Sequence, residues 1–315
     1  MSAAPNDPNP YAAESGESGE PVRTSGKALV SLILGVMSIG LCCSLFTGIP
    51  AIILGVLGLG DVEKSRGRLT GRGLAIAGIV TGAIGSTVMV GMSIALLLPA
   101  VQAARSAAHR NHSMNNLQQV GLGLMQFDQA HGKYPAAATR DDAGNPLVSW
   151  RVAILPYLDR NPLYEKFTKD EPWNGPNNKA LVSDEPDNYR ALGATDQPPG
   201  ETNVLAIVGP DTVLTPDGGT SLRDIRDGTS KTIVFVELAG SGIAWSEPRD
   251  ITIDEFIAAM QRQPGGAGLR PVYPFGVLCG FADGSVQFIP TGTPPDVLRG
   301  LCTRAGGEAV TMPMD

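Results

Sequence analysis

The residues best suited to chemistry are three Asp-Gly pairs, Asp217-Gly218, Asp227-Gly228 and Asp283-Gly284, with Asp211 and Asp224 nearby. Calcium takes about six to eight oxygens, and loop carboxylates supply them. No stretch has the ligand spacing of an EF-hand loop, however, and Asp-Gly is the commonest way to build a tight turn, so turn chemistry is the preferred reading. Asp224 and Asp227 could hold two carboxylates close for acid–base work, but they precede an apolar strand-like run and also read as a turn. The three histidines are His109, His112 and His131. They lie on or beside one helical stretch with no partners in reach and read as solvated helix residues. Ser221, Ser230 and Ser246 lack the Gly-x-Ser-x-Gly context of a nucleophile elbow. Cys42 and Cys43 are adjacent in an apolar run, while Cys279 and Cys302 stand apart near the C-terminus. No Cys-x-x-Cys occurs, which argues against a zinc cage. A Cys279–Cys302 disulfide is open to the chain if that part lies outside the cytoplasm. No nucleophile, base and orienting group converge in the sequence, and the expectation is no enzyme, no cofactor and no metal.

The bulk composition points away from nucleic acid and toward a bilayer. The net charge is -7 and no basic face is visible for phosphate neutralisation. Only 17% of residues are charged, few for a soluble protein of 315 residues. Residues 1–26 are rich in Pro, Ser, Gly and Glu and read as a disordered tail without the pattern of a cleaved signal peptide. Residues 28–60 carry no charge; they read as one span with a bent, partly interfacial end, or as two limbs broken near Gly48 and Pro50. A polar loop, 61–73, carries Lys64, Arg66, Arg68 and Arg72, and residues 74–100 are again uncharged and long enough to span. The basic loop places itself in the cytoplasm and both termini outside. If residues 28–60 form a hairpin, the N-terminus moves to the cytoplasm while the C-terminal part stays outside. Ala51 and Gly55, then Gly78, Gly82 and Ser86, recur at every fourth position. That spacing suits close packing of the chain's own helices, preferred here over dimerisation.

Helical spacing does not stop where the second span ends. Met114, Leu117, Val120, Leu124 and Phe127 fall on one face; Asn115, Gln118, Gln119 and Asp128 fall opposite, and Gly132 and Pro135 supply stop signals. A span that runs through Pro99 into an amphipathic helix needs a surface to cover. Residues 203–209 and 231–237 read as strands, and 276–289 as a hairpin turning at Asp283-Gly284. The expected fold is therefore α+β, with two N-terminal transmembrane helices, the second continuing into a long amphipathic helix packed on an antiparallel sheet. "SWRVAILPYL" reads as a buried helix capped by Ser149. Trp150, Tyr157, Tyr164 and Trp173 sit in a Pro-rich segment that either packs an Ω-like insertion or forms a recognition surface, packing being preferred.

Five ordered blocks, "ALLLPAVQAARSAAHRNHSMNNLQQVGLGL", "SWRVAILPYLDRNPLYEKF", "SLRDIRDGTSKTIVFVE", "GFADGSVQFI" and "LRGLCTRAGGEAV", resemble the bacterial family called domain of unknown function 1559. Residues 27–100, with "GRGLAIAGIVTG", are similar to domain of unknown function 4190. The first resemblance implies a likeness to type II secretion pseudopilins and type IV pilins. Typical members open with a prepilin leader; here a two-span module stands in that place, which implies a permanently anchored protein not processed by prepilin peptidase. The family's motif is a His, nine residues, then Asp-Gly. This chain keeps Asp283-Gly284 but has Tyr273 at the His position. The sequence thus divides into a tail (1–26), a two-span module (27–100) and an extracytoplasmic pseudopilin-like domain (101–315). The expected function is a multi-pass inner-membrane envelope protein, structural or secretion-associated, whose partners are the bilayer and other pilin-like subunits. The alternative is an extracytoplasmic module that binds or senses a ligand or calcium.

Overall fold

The computed structural model describes residues 23–40, 44–194, 197–216, 218–262 and 267–307. The N-terminal tail up to residue 22, Cys42, Cys43 and Asp217 lie outside these residues. The chain forms two units, Met1–Gln102 and Ala103–Asp315.

In the first unit, β1 (Arg23–Thr24) leads into α1 (Gly26–Gly40), then α2 (Ser44–Lys64), β2 (Leu69–Thr70) and α3 (Arg72–His131), whose later turns belong to the second unit. The uncharged stretch is thus not one span with a bent end but two helices. They break between Gly40 and Ser44, earlier than the Gly48–Pro50 point read from sequence; Pro50 lies inside α2, which absorbs it. The physical reason is the seam. Ser31 of α1 donates its hydroxyl to the Ala51 carbonyl at 2.8 Å. A Cβ on Gly48 would stand 2.9 Å from the Gly82 carbonyl, and one on Gly55 would stand 3.0 Å from that of Ala75. Small residues let the three backbones approach this closely, and the four-residue spacing seen in the sequence serves packing within the chain. α1 runs antiparallel to α2, and β1 pairs in parallel with β2. By length and composition, α2 from Phe46 and α3 are able to cross a membrane; α1 is a shorter apolar helix.

In the second unit, α3 buries Leu117, Val120 and Leu124 almost completely, with Met114 and Phe127 partly buried beside them. Each fully buried side chain contributes about 1.5–3 kcal/mol. One residue departs from the expected pattern: Asp128, assigned to the polar face, is 8% exposed, and burial raises its pKa. The helix ends at Gly132, whose φ of +74° a residue with a Cβ would resist.

After α3 come the antiparallel pair β3 (Ala138–Arg140) and β4 (Pro146–Ser149), then α4 (Trp150–Ala153) and α5 (Asn161–Lys166). The remaining elements are β5 (Val204–Ala206), β6 (Ile233–Ala239), α6 (Ile253–Met260), β7 (Arg270–Pro271), β8 (Gly276–Phe281), β9 (Val286–Pro290) and α7 (Pro295–Cys302). The sheet has the order β5-β6-β8-β9, with β7 also on β6, and every pairing is antiparallel. Its two faces feed two cores. Val204, Ala206 and Leu278 join α3, Trp150 and Tyr189 on one side; Leu205, Ile207, Val277 and Cys279 join Phe256, Met260, Leu298 and Leu301 of α6 and α7 on the other. A sheet covered on both faces explains why its strands read as continuous apolar runs without alternation.

Candidate functional site

The hairpin β8–β9 and the loop before it meet α3 at two places. At the turn, Asp283 Oδ1 accepts from the Ser285 N–H at 2.9 Å and from its hydroxyl at 2.6 Å. Gly284 has φ +80°, open to glycine at no steric cost. Gly284 also lies against Gly121 of α3, where an added Cβ would stand 2.8 Å from the Gly284 oxygen and 2.9 Å from its Cα. The second contact lies two helical turns earlier. Tyr273 is 7% exposed, and its hydroxyl and that of Ser113 face the carboxyl of Glu237 in β6. Ser113 is fully buried and Glu237 is 2% exposed. Ser113 Oγ, Glu237 Oε2 and Tyr273 Oη are buried short of full hydrogen-bond geometry; burial pushes the Glu237 carboxyl up to about 7, and the two hydroxyls aimed at it act against that rise. The segment from Tyr273 to Gly284 thus runs from one contact on α3 to another.

Asp227, Gly228 and Asp224 build turns and tethers. Gly228 has φ +103°, and its carbonyl accepts from Lys231 N–H at 3.0 Å. Asp227 accepts from the Gly306 and Gly307 N–H groups at 2.6 and 2.9 Å, holding down the segment after α7. Asp224 closes a capping box with Ser221. Their carboxylates serve different backbone groups. Among the described residues, no three His, Cys, Asp or Glu side chains converge as metal ligands would.

His112 contacts Asn116 at 3.3 Å, and His131 stacks on Phe127 with centroids 4.1 Å apart; both are exposed helix residues. Ser149 caps α4 as expected, although the buried "SWRVAILPYL" helix is split into α4 and a 3-10 turn over Leu155–Leu158. Trp150 is a core residue, edge-on to Tyr189, and Tyr164 and Trp173 pack partly against the same core. Cys279 and Cys302 are free thiols, both fully buried in one apolar cluster, and burial raises both thiol pKa values.

Arg151 and Asp250, like Glu237, were missed by sequence reasoning. Arg151, fully buried, forms an ion pair with Asp250, and donates from Nε to the Val204 carbonyl at 2.7 Å and from Nη1 to Ser149 Oγ at 2.6 Å. Asp250 also accepts from the Ala206 N–H at 2.7 Å and Trp150 Nε1 at 3.1 Å. Burial raises its carboxyl and Arg151 pulls it back, leaving it at about 6 and ionised at neutral pH. The signal in the sequence was a lone Arg inside "SWRVAIL", as a lone Glu inside "IVFVELA" announced Glu237. An open cleft of about 340 Å³ is lined by Asp159, Asp184, Glu185 and Asp187 together with Arg160 and Lys166.

These observations define an α+β domain joined through a single helix to an apolar helical module able to associate with a membrane. Residues 27–92 match the family described as a domain of unknown function (DUF4190), and residues 102–198 match the family described as a protein of unknown function (DUF1559). Tyr273 and the Asp283-Gly284 hairpin lie beyond the matched stretch. No curated protein and no solved structure matches the chain.

Proposed function

We propose that this is a membrane-anchored, non-enzymatic envelope protein. Its second unit serves as a pseudopilin-like domain outside the cytoplasmic membrane, in a structural or secretion-associated role. The observation that carries this reading is α3: one 60-residue helix whose early turns are apolar and whose later turns lay a stripe of Leu117, Val120 and Leu124 on an antiparallel sheet. The polar groups support a structural role. Arg151 and Asp250 are sealed inside the core, Ser221 and Asp224 cap a turn, and Asp227 and Asp283 hold backbone N–H groups. The basic loop after α2 supports a cytoplasmic loop and a C-terminal unit outside; if α1 and α2 cross as a hairpin, the N-terminus lies in the cytoplasm too.

Alkaline phosphatase and fluorescent-protein fusions after Gly67 and after Asp315 test the reading. Phosphatase activity confined to the C-terminal fusion is the expected result. A C-terminal fusion that is fluorescent in the cytoplasm and lacks phosphatase activity would overturn it. The cleft with four carboxylates favours a second reading, an extracytoplasmic module that binds cationic ligands. Saturable calcium or spermidine binding by calorimetry, lost in Asp184→Asn/Asp187→Asn, would establish that reading in place of the first.

A further inference from the structure

The contact between α3 and the sheet has a polar end that the proposed function does not use. Ser113 is the first fully buried residue of α3 in the second unit; residues 103–108 and 110–112 before it are exposed. Its hydroxyl, the Glu237 carboxyl and the Tyr273 hydroxyl come from a helix, a central strand and the loop before β8, and meet in the interior with their hydrogen-bonding capacity incomplete. Among the described residues, no positive charge compensates this carboxyl. Arg110, one turn earlier on α3, acts on Tyr273 and lies over the Phe288 ring at 4.9 Å. Arg270 on β7 turns its guanidinium to the Gly268 carbonyl, and the residue paired with Glu237 on β5 is Val204.

An ionised carboxylate buried without a counter-ion is costly, whereas its protonated form donates a hydrogen bond to a neighbouring hydroxyl oxygen. We infer that Glu237, Ser113 and Tyr273 form a proton-operated latch: with Glu237 protonated the start of the packed segment of α3 is held on the sheet, and ionisation releases it. The direction follows from linkage. Burial raises the folded-state carboxyl from 4.5 to about 7. The stabilisation is therefore complete below the ordinary carboxyl range and is lost as pH rises toward 7. Within that window each pH unit raises the opening constant by about tenfold. An imidazole at position 273 would offer Glu237 a positive partner; the tyrosine present offers only a hydroxyl, so among the described residues the site is left to a proton for its neutralisation.

The test uses the full chain in lipid nanodiscs. Infrared spectroscopy with labelled glutamate should show a protonated buried carboxyl that disappears with a midpoint near 7, and Glu237→Gln should lack it. Amide exchange over residues 113–124, corrected for intrinsic pH dependence, should accelerate about tenfold per unit between pH 5 and 7 in the native chain and stay flat in Glu237→Gln. Tyr273→His should lower the carboxyl midpoint by about one unit or more. A Glu237 that titrates in the ordinary carboxyl range overturns the latch, and that measurement needs no variant to fold. An exchange profile identical in native protein and Glu237→Gln overturns it as well.

Discussion

Substituting Gly121 with Ala sets two effects of opposite sign against each other. Gly121 lies inside α3, where Ala is the better helix former by about 1 kcal/mol, so propensity alone predicts a more stable protein. The packing predicts the reverse. The new methyl would stand 2.8, 2.9 and 3.2 Å from the O, Cα and C atoms of Gly284, all backbone, in a turn fixed by Asp283 and Ser285. Because no flexible side chain absorbs the overlap, the cost belongs at the upper end for overpacking, about 3 kcal/mol. The net loss is about 2 kcal/mol, or a melting temperature lower by about 4–8 °C for a unit of this size. Thermal unfolding of the full chain in detergent, followed by circular dichroism, measures it. Gly292→Ala is the control, since a Cβ at Gly292 meets nothing within 4 Å. A Gly121→Ala variant as stable as the native chain would refute the claim that the hairpin turn rests on α3 through these two glycines.

The buried ion pair makes a sharper demand. Asp250→Asn leaves the fully buried Arg151 guanidinium without its carboxylate and should cost about 3–5 kcal/mol in chemical denaturation, while Arg151→Leu/Asp250→Leu recovers most of it. Asp227→Ala removes the acceptor for two backbone N–H groups; it should cost about 1 kcal/mol and make residues 304–307 the first site cut in limited proteolysis. Gly48→Val forces a side chain between α2 and α3, where the Gly82 carbonyl is 2.9 Å from the Cβ position. Cysteine cross-linking between the two helices should fall in that variant and persist in Gly60→Val, whose Cβ position meets nothing within 4 Å.

Local pattern made much of this legible. The three- and four-residue steps from Met114 to Phe127 mark the face that α3 buries, and Asp283-Gly284 marks the hairpin, because both signals lie within a few residues of one another. What depends on distant partners was not legible. Asp250 has no motif around it; its role comes from Arg151, 99 residues away in sequence. Tyr273 raised a question through its position in a motif, but Glu237 and Ser113, which give it a setting, stand far off in the chain. The helical hairpin stood in the sequence only as an alternative for another reason: the stretch contains no charged residue to mark where one helix ends, and the small-residue seam decides where the chain turns back.

The contact of Gly121 with Gly284 also sets an order of events during synthesis. Roughly 160 residues separate the two, so at typical elongation rates the apolar stripe of α3 leaves the ribosome on the order of 10–30 s before the hairpin that seats against it. Throughout that interval the stripe has to be shielded by transient collapse or by a chaperone, and a chain truncated before β8 would present it permanently. The native domain is a late product of translation, vulnerable to aggregation until its C-terminal hairpin arrives.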